Sequence, residues 1–392
     1  MRFTGFTAFS LGILVLVAAS ASSQNAPPRF GLDWKAMAKR IVEQLALEPG
    51  EKFLAVAHPG IFDELIPHLR YEVMKAGAVD LGVISVLGAP VPADWNEEVL
   101  VEGGKKARVE LRKMLERVDA SIMLPGANPG QPAYAAIQDL LREGMGRTVH
   151  FHWLENASAF PLPGQPLPAR HEIEAAYQRA LLETDYRALA ERQRELEQAM
   201  RAGEVRVTTP AGTDLRFRIA DRPVNFQDGN ASPARAAKGV VLIDREIELP
   251  AGAVRVAPIE ESVQGTIVFP PSQWSGRPVL RLKLGIVDGK VTSVEAADGK
   301  EWAEREMDEA GDAARSFREF ALGLNPLLAV PEDRPWIPYY GYGAGVVRLS
   351  LGDNSELGGR VSGGYVRWNF FTDTTVVVNG EIWVADGKFV RR

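Results

Sequence analysis

Residues 52–88 read KFLAVAHPGIFDELIPHLRYEVMKAGAVDLGVISVLG. KFLAVAHPG is an apolar run stopped by Pro-Gly, as a strand is. FDELIPHLRYEVMKAGA spaces its apolar residues three and four apart and closes at Gly77, as a helix does, and VDLGVISVLG returns to a strand. Strand, helix and strand in succession with short connections predict a βαβ unit, whose two strands must run parallel.

Working outward, the same alternation continues on both sides. WKAMAKRIVEQLAL precedes the unit as an amphipathic helix ending at Pro49-Gly50. DASIMLPGAN, AYAAIQDLLREGM and TVHFHWL follow it as strand, helix and strand. FPLPGQPLPAR is a proline-rich connector, and residues 171–203 form a charged helical region that breaks near Thr184-Asp185 and ends at Gly203. From EVRVTTPAGTDLRFRIADRP onward the period falls to two, with turns at PAGTD, VDGK, ADGK and VNGE and one helix over EWAEREMDEAGDAARSFREFALG. The expected class is α/β in two domains: residues 28–201 as an N-terminal α/β domain with a mainly parallel sheet and a helical connector, and residues 202–392 as a C-terminal β-rich α+β domain.

The N-terminus carries Arg2, an apolar stretch from Phe6 to Ala19 and the small-x-small site Ala19-Ser20-Ala21, so residues 1–23 read as a signal peptide. The mature chain is then expected outside the cytoplasm, periplasmic or secreted, with no membrane attachment after cleavage. Among the 392 residues 45 are basic and 51 acidic, which offers nucleic acid no basic field. The absence of cysteine excludes disulfides and thiolate metal sites, and five histidines limit any metal site to His, Asp and Glu donors.

Several stretches bear on chemistry. His150 and His152 in TVHFHWL share one strand face, as metal ligands often do, but with Trp153 beside them they read as packing or surface residues. PGANPG after the strand ASIML reads as a turn before a helix, and G-x-S-x-G, H-E-x-x-H and P-loop motifs do not occur. Glu319 lies in the apolar segment FREFALGLNP. Residues 346–371, VVRLSLGDNSELGGRVSGGYVRWNFF, put Arg348 and Arg367 on two short apolar strands around a glycine-rich loop. A guanidinium on a half-buried strand face requires an anion.

Five stretches, in order, resemble the aminopeptidase T family of metallopeptidases. They are GTDLRFRI (212–219), LPAGAVRVAPIEESVQGTIVF (249–269), REFALGLNP (318–326), GVVRLSLGDNSELGG with VRWN (345–369), and the closing NGEIWVADGKFV. The resemblance implies a homodimeric exopeptidase with two divalent metal ions held by two glutamates, two histidines and an aspartate. At those positions this chain has Ala253, Glu319, Arg348, Arg367 and Asn369, with Ser355 where the family has a tyrosine. Arginine has no lone pair to offer a cation and alanine has no donor atom, so only Glu319 remains of the family set.

Two guanidinium groups and one carboxylate carry about the same charge as two dications with their three carboxylates. The sequence therefore leads to a metal-free, catalytically silent homologue that binds a peptide or small anionic ligand through Glu319, Arg348, Arg367, Asn369 and Arg255, with no cofactor. The alternatives are an active aminopeptidase whose two metals sit on other ligands, such as Asp353 or Glu356 with Glu319, and a structural protein whose pocket is closed by an Arg–Glu network.

Overall fold

The βαβ run of residues 52–88 starts the first sheet of the protein, seen in a computed structural model that describes residues 31–86, 97–239 and 242–391. The predicted signal peptide and the end of the 79–88 strand lie outside those residues. The sheet is parallel throughout and has five strands in the order Val79–Ser85, Lys52–Ala57, Ala120–Met123, Arg147–Phe151 and Glu246–Leu249. Helices Trp34–Leu45, Leu65–Lys75 and Pro132–Arg142 fall where the periodicity placed them. A further helix, Glu97–Leu115, was not expected.

The helical region breaks where predicted, into Arg170–Glu183 and Tyr186–Ala202. Asp185 makes the break, because its side chain accepts a hydrogen bond from the Ala188 amide at 3.0 Å and so starts a new helix. The expected boundary at residue 202 does not separate the sheets. Glu246–Leu249 crosses back to pair with Arg147–Phe151, and one hydrophobic core runs from Met37 through Val205 to Val384.

Beyond residue 202 the chain forms two further large sheets. Eight antiparallel strands run from Lys290–Glu295 at one edge to Lys388–Phe389 at the other. The second is a six-stranded sheet in the order Val366–Arg367, Val347–Gly352, Phe317–Gly323, Ala253–Val256 and Val224–Phe226, with Phe370–Phe371 also paired to Val347–Gly352. Phe217 of the eight-stranded sheet meets Phe317 and Phe320 of the six-stranded one, with ring centroids 6.3 and 5.2 Å apart.

One expectation is corrected here. The helix read over residues 301–323 is helical only from Lys300 to Ala310. Gly311, at φ 76°, ends it, and after a short turn the chain continues as the strand Phe317–Gly323. That strand is buried on both faces, so it lacks the alternation that marks a half-exposed strand. The correction moves Glu319 from a helix to the middle of a sheet.

A buried arginine and glutamate site between the sheets

Strand register determines who meets Glu319. Arg255 lies opposite Ala321, and Ala321 lies opposite Arg348, so two arginines flank a residue whose methyl group leaves room for both guanidiniums. Two positions back along the strand, on the same face, stands Glu319, opposite Ser350. The register shifts between Phe317 and Glu319, and this bulge brings Arg318 beside its neighbour instead of onto the far face.

Glu319 has no exposure to solvent. Its Oε2 accepts from Arg255 Nε at 3.2 Å and Nη2 at 3.0 Å, with Arg318 Nε 3.7 Å away. Its Oε1 accepts from Ser350 Oγ at 3.2 Å and lies 2.8 Å from Arg348 Nε. Burial pushes the carboxyl up, but the charges of Arg255, Arg348 and Arg318 outweigh it and hold the pKa far below the usual carboxylate range. The same carboxylate, against the opposing effect of burial, keeps Arg255 well above its ordinary value.

The arginines hold a second carboxylate at the rim. Glu356 Oε1 accepts from Arg255 Nη2 at 3.1 Å and makes a close contact with Arg318 Nη2. Arg348 reaches the other way: its Nη1 donates to the Tyr340 carbonyl at 3.3 Å, and its guanidinium stands 5.0 Å from the Trp368 ring centroid. The Nε of Arg348 is close to Glu319 but off the hydrogen-bond direction. With Arg348 Nη2 and Arg318 Nε it is a buried donor with no acceptor among the described residues.

Not all the sequence-derived candidates converge on this cluster. Arg367 does not reach Glu319. It pairs with Glu306 of the Lys300–Ala310 helix at 2.7 Å, donates to the Gln273 carbonyl and stacks 3.5 Å from the Trp274 ring centroid. Asn369 donates to the Leu349 carbonyl at 3.1 Å, and Ala253, opposite Gly323, offers no polar group. Arg255 and Arg348 do meet Glu319. Arg318, Ser350 and Glu356 complete the cluster; the sequence signal for Ser350 was its place two residues after Arg348 on the same strand face.

A second polar group faces this cluster from the parallel sheet. His150 and Glu248 lie in register on adjacent strands, with Glu246 two residues before Glu248. His150 Nε2 is 2.6 Å from Glu246 Oε1, and Tyr134 Oη is 2.9 Å from His150 Nδ1. Burial pushes His150 far down and Glu246 up to about 8, with the charge of Glu356 adding to the latter. A neutral His150 carries one ring proton, so the short contact joins either an Nε2–H to a carboxylate or a protonated Glu246 to Nε2, and the burial that raises Glu246 favours the second. Glu248 accepts from Tyr342 in a close contact, which links this group to Arg255.

The residues that the sequence resemblance sets at metal positions do not fit a divalent pair. Both oxygens of Glu319 face guanidinium groups, and the fixed positive charge of Arg348 would oppose a cation beside them. Among the described residues no group of three or more His, Asp or Glu has the geometry of a metal site. Beside the cluster a cavity of about 1220 Å³ is lined by Phe160, Pro270, Gln273, Arg367, Trp368 and Asn369. Trp368 is both a wall of that cavity and the ring that faces Arg348.

A parallel α/β sheet joined to an antiparallel β-rich region is an architecture shared with wild-type AmpT from Thermus thermophilus, which superimposes with a TM-score of 0.56 at 19% identity over 91% of this chain and 99% of that one. Residues 180–327 match the family described as thermophilic metalloprotease (M29), in agreement with the resemblance read from the sequence over that segment. The 2,5-dihydroxypyridine dioxygenase from Pseudomonas putida KT2440 shares the fold as well, with a TM-score of 0.61 at 14% identity over 92% of this chain and 97% of that one. At these identities the two structures establish architecture alone. No curated protein matches the chain.

Proposed function

We propose that this chain is an exported, metal-free relative of the thermophilic metalloproteases, without peptidase turnover, that binds a peptide or another small anionic ligand, as a homodimer. The observation that carries this reading is the saturation of Glu319 by fixed cations: Arg255 and Arg348 occupy its two oxygens and Arg318 stands beside them. A carboxylate so held cannot share a metal, and no guanidinium lowers the pKa of a water as a metal does. The buried donors on Arg348 and Arg318 that lack acceptors give an anion something to bind.

The test is thermal melting of the purified chain with zinc, cobalt or manganese, alongside elemental analysis and hydrolysis of aminoacyl chromogenic substrates. Absence of stoichiometric metal, unchanged melting and background hydrolysis are expected. A metal-dependent rise in melting that chelator reverses would overturn the metal-free reading, because a ligand that binds only the folded state must stabilise it. A second reading, a purely structural ionic core, draws on the near-complete burial of Glu319 and Arg348. Carboxylate binding separates the two.

A further inference from the structure

Glu356 differs from the other members of the cluster. Arg255, Arg318, Arg348 and Glu319 are all buried, whereas the Glu356 side chain is 33% exposed and enters from the loop that follows the Val347–Gly352 strand. One of its oxygens serves two guanidiniums from two different strands, Arg255 and Arg318. Two buried arginines converging on one carboxylate oxygen form a carboxylate receptor.

The loop around Glu356 is firmly built. Asp353 accepts from the amides of Ser355, Gly363 and Gly364, and the Asn354 side chain bonds to Glu260 and to the Val361 amide. Glu260 in turn holds Arg222 and the Arg360 amide. Glu356 is the partly exposed member of the cluster, so rotation of its side chain alone, with the loop backbone fixed, is the movement that an exchange at the two guanidiniums requires. A carboxylate arriving from outside then replaces one negative charge by another and leaves the charge around the arginines unchanged.

We infer that the Arg255–Arg318 pair is a carboxylate-binding site which the chain's own Glu356 occupies at rest, and that a ligand carboxylate enters by displacing it. This rests on the ligand-binding reading above and specifies the group recognised and the residue that competes with it. A site open for only a fraction of the time binds with an affinity reduced by that fraction. Removing the internal competitor therefore raises affinity.

Titration calorimetry and thermal melting of the full chain, at matched ionic strength, compare wild type with Glu356→Ala and the volume-preserving Glu356→Gln. The probes are acetate, trialanine and trialanine amide. Glu356→Ala is expected to bind trialanine and acetate at least about tenfold more tightly than wild type, while the amide gains nothing. A gain for acetate alone supports the exchange and makes a free acid, not a peptide end, the ligand. Should wild type bind trialanine or acetate and neither variant bind either of them more tightly, displacement is wrong while ligand binding stands; equal gains for the amide also defeat it. If no carboxylate binds any of the three proteins, both readings fall. Glu356→Gln decides the matter if Glu356→Ala does not fold.

Discussion

Replacing Glu319 should damage the protein more than replacing any single arginine around it. The carboxylate is fully buried and faces three guanidiniums, at 3.0 Å for Arg255, 2.8 Å for Arg348 and 3.7 Å for Arg318. Without it those three positive charges face one another, with Glu356 still touching Arg255 and Arg318. Breaking one buried pair costs about 3–5 kcal/mol, so Glu319→Ala belongs at the upper end, about 5 kcal/mol. Arg348→Ala still leaves Glu319 with Arg255 and Arg318, and should cost less, about 2–3 kcal/mol for the lost pair and packing. Urea unfolding measures both.

The pH dependence gives a second readout of the same perturbation. The folded carboxyl titrates below its ordinary value of 4.5, so its stabilisation is complete above that value and is lost as pH falls toward the folded pKa. The gap between wild type and Glu319→Gln should therefore narrow steadily below pH 4.5. The reasoning fails if Glu319→Ala lies within about 1 kcal/mol of wild type, the cost of an exposed pair, or if Arg348→Ala is the more harmful change.

Three other outcomes are expected. Arg367→Ala should cost about 1 kcal/mol through its pair with Glu306 and its stacking on Trp274, and leave trialanine affinity unchanged; a lost affinity in calorimetry would return Arg367 to the site. Glu246 titrates in the fold at about 8 against an ordinary 4.5, so the folded state holds the extra proton and loses stability as pH rises between those values. Glu246→Gln should therefore melt increasingly higher than wild type across that range, whereas a constant difference would point to a charged His150–Glu246 pair. Gly343→Ala should unfold the protein or cost more than about 3 kcal/mol by urea titration, because an added Cβ would run into the Leu328 carbonyl on the backbone.

What could be read from the sequence depended on whether an element shows one face to solvent. The Trp34–Leu45 and Pro132–Arg142 helices show an apolar stripe and were read directly. Glu97–Leu115 was missed because Gly103, Gly104 and a heavily charged composition blur its stripe. Phe317–Gly323 reads as helix from sequence because a strand buried on both faces has no period of two. In the site, Glu319 and Arg348 followed from motif order. Arg318 could not, since neighbouring strand residues normally point apart and only the bulge turns it inward. Arg367 sits on a two-residue strand whose register no local pattern fixes, and its partner Glu306 belongs to a helix some 60 residues earlier, a separation of 61.

The return of Glu246–Leu249 to the first sheet governs how the chain can be made. Arg147–Phe151 leaves the first half of the protein with an open edge, and the strand that covers it emerges about a hundred residues later, Thr148 meeting Glu246. Until then the nascent chain presents an unpaired, wholly buried-type strand, the sort of edge that recruits other chains. Contacts this distant in sequence form slowly, because the intervening loop must close before any pairing rewards it. A fragment ending at residue 202 should thus aggregate instead of folding, and the two halves of this protein should be inherited, expressed and unfolded as one cooperative unit.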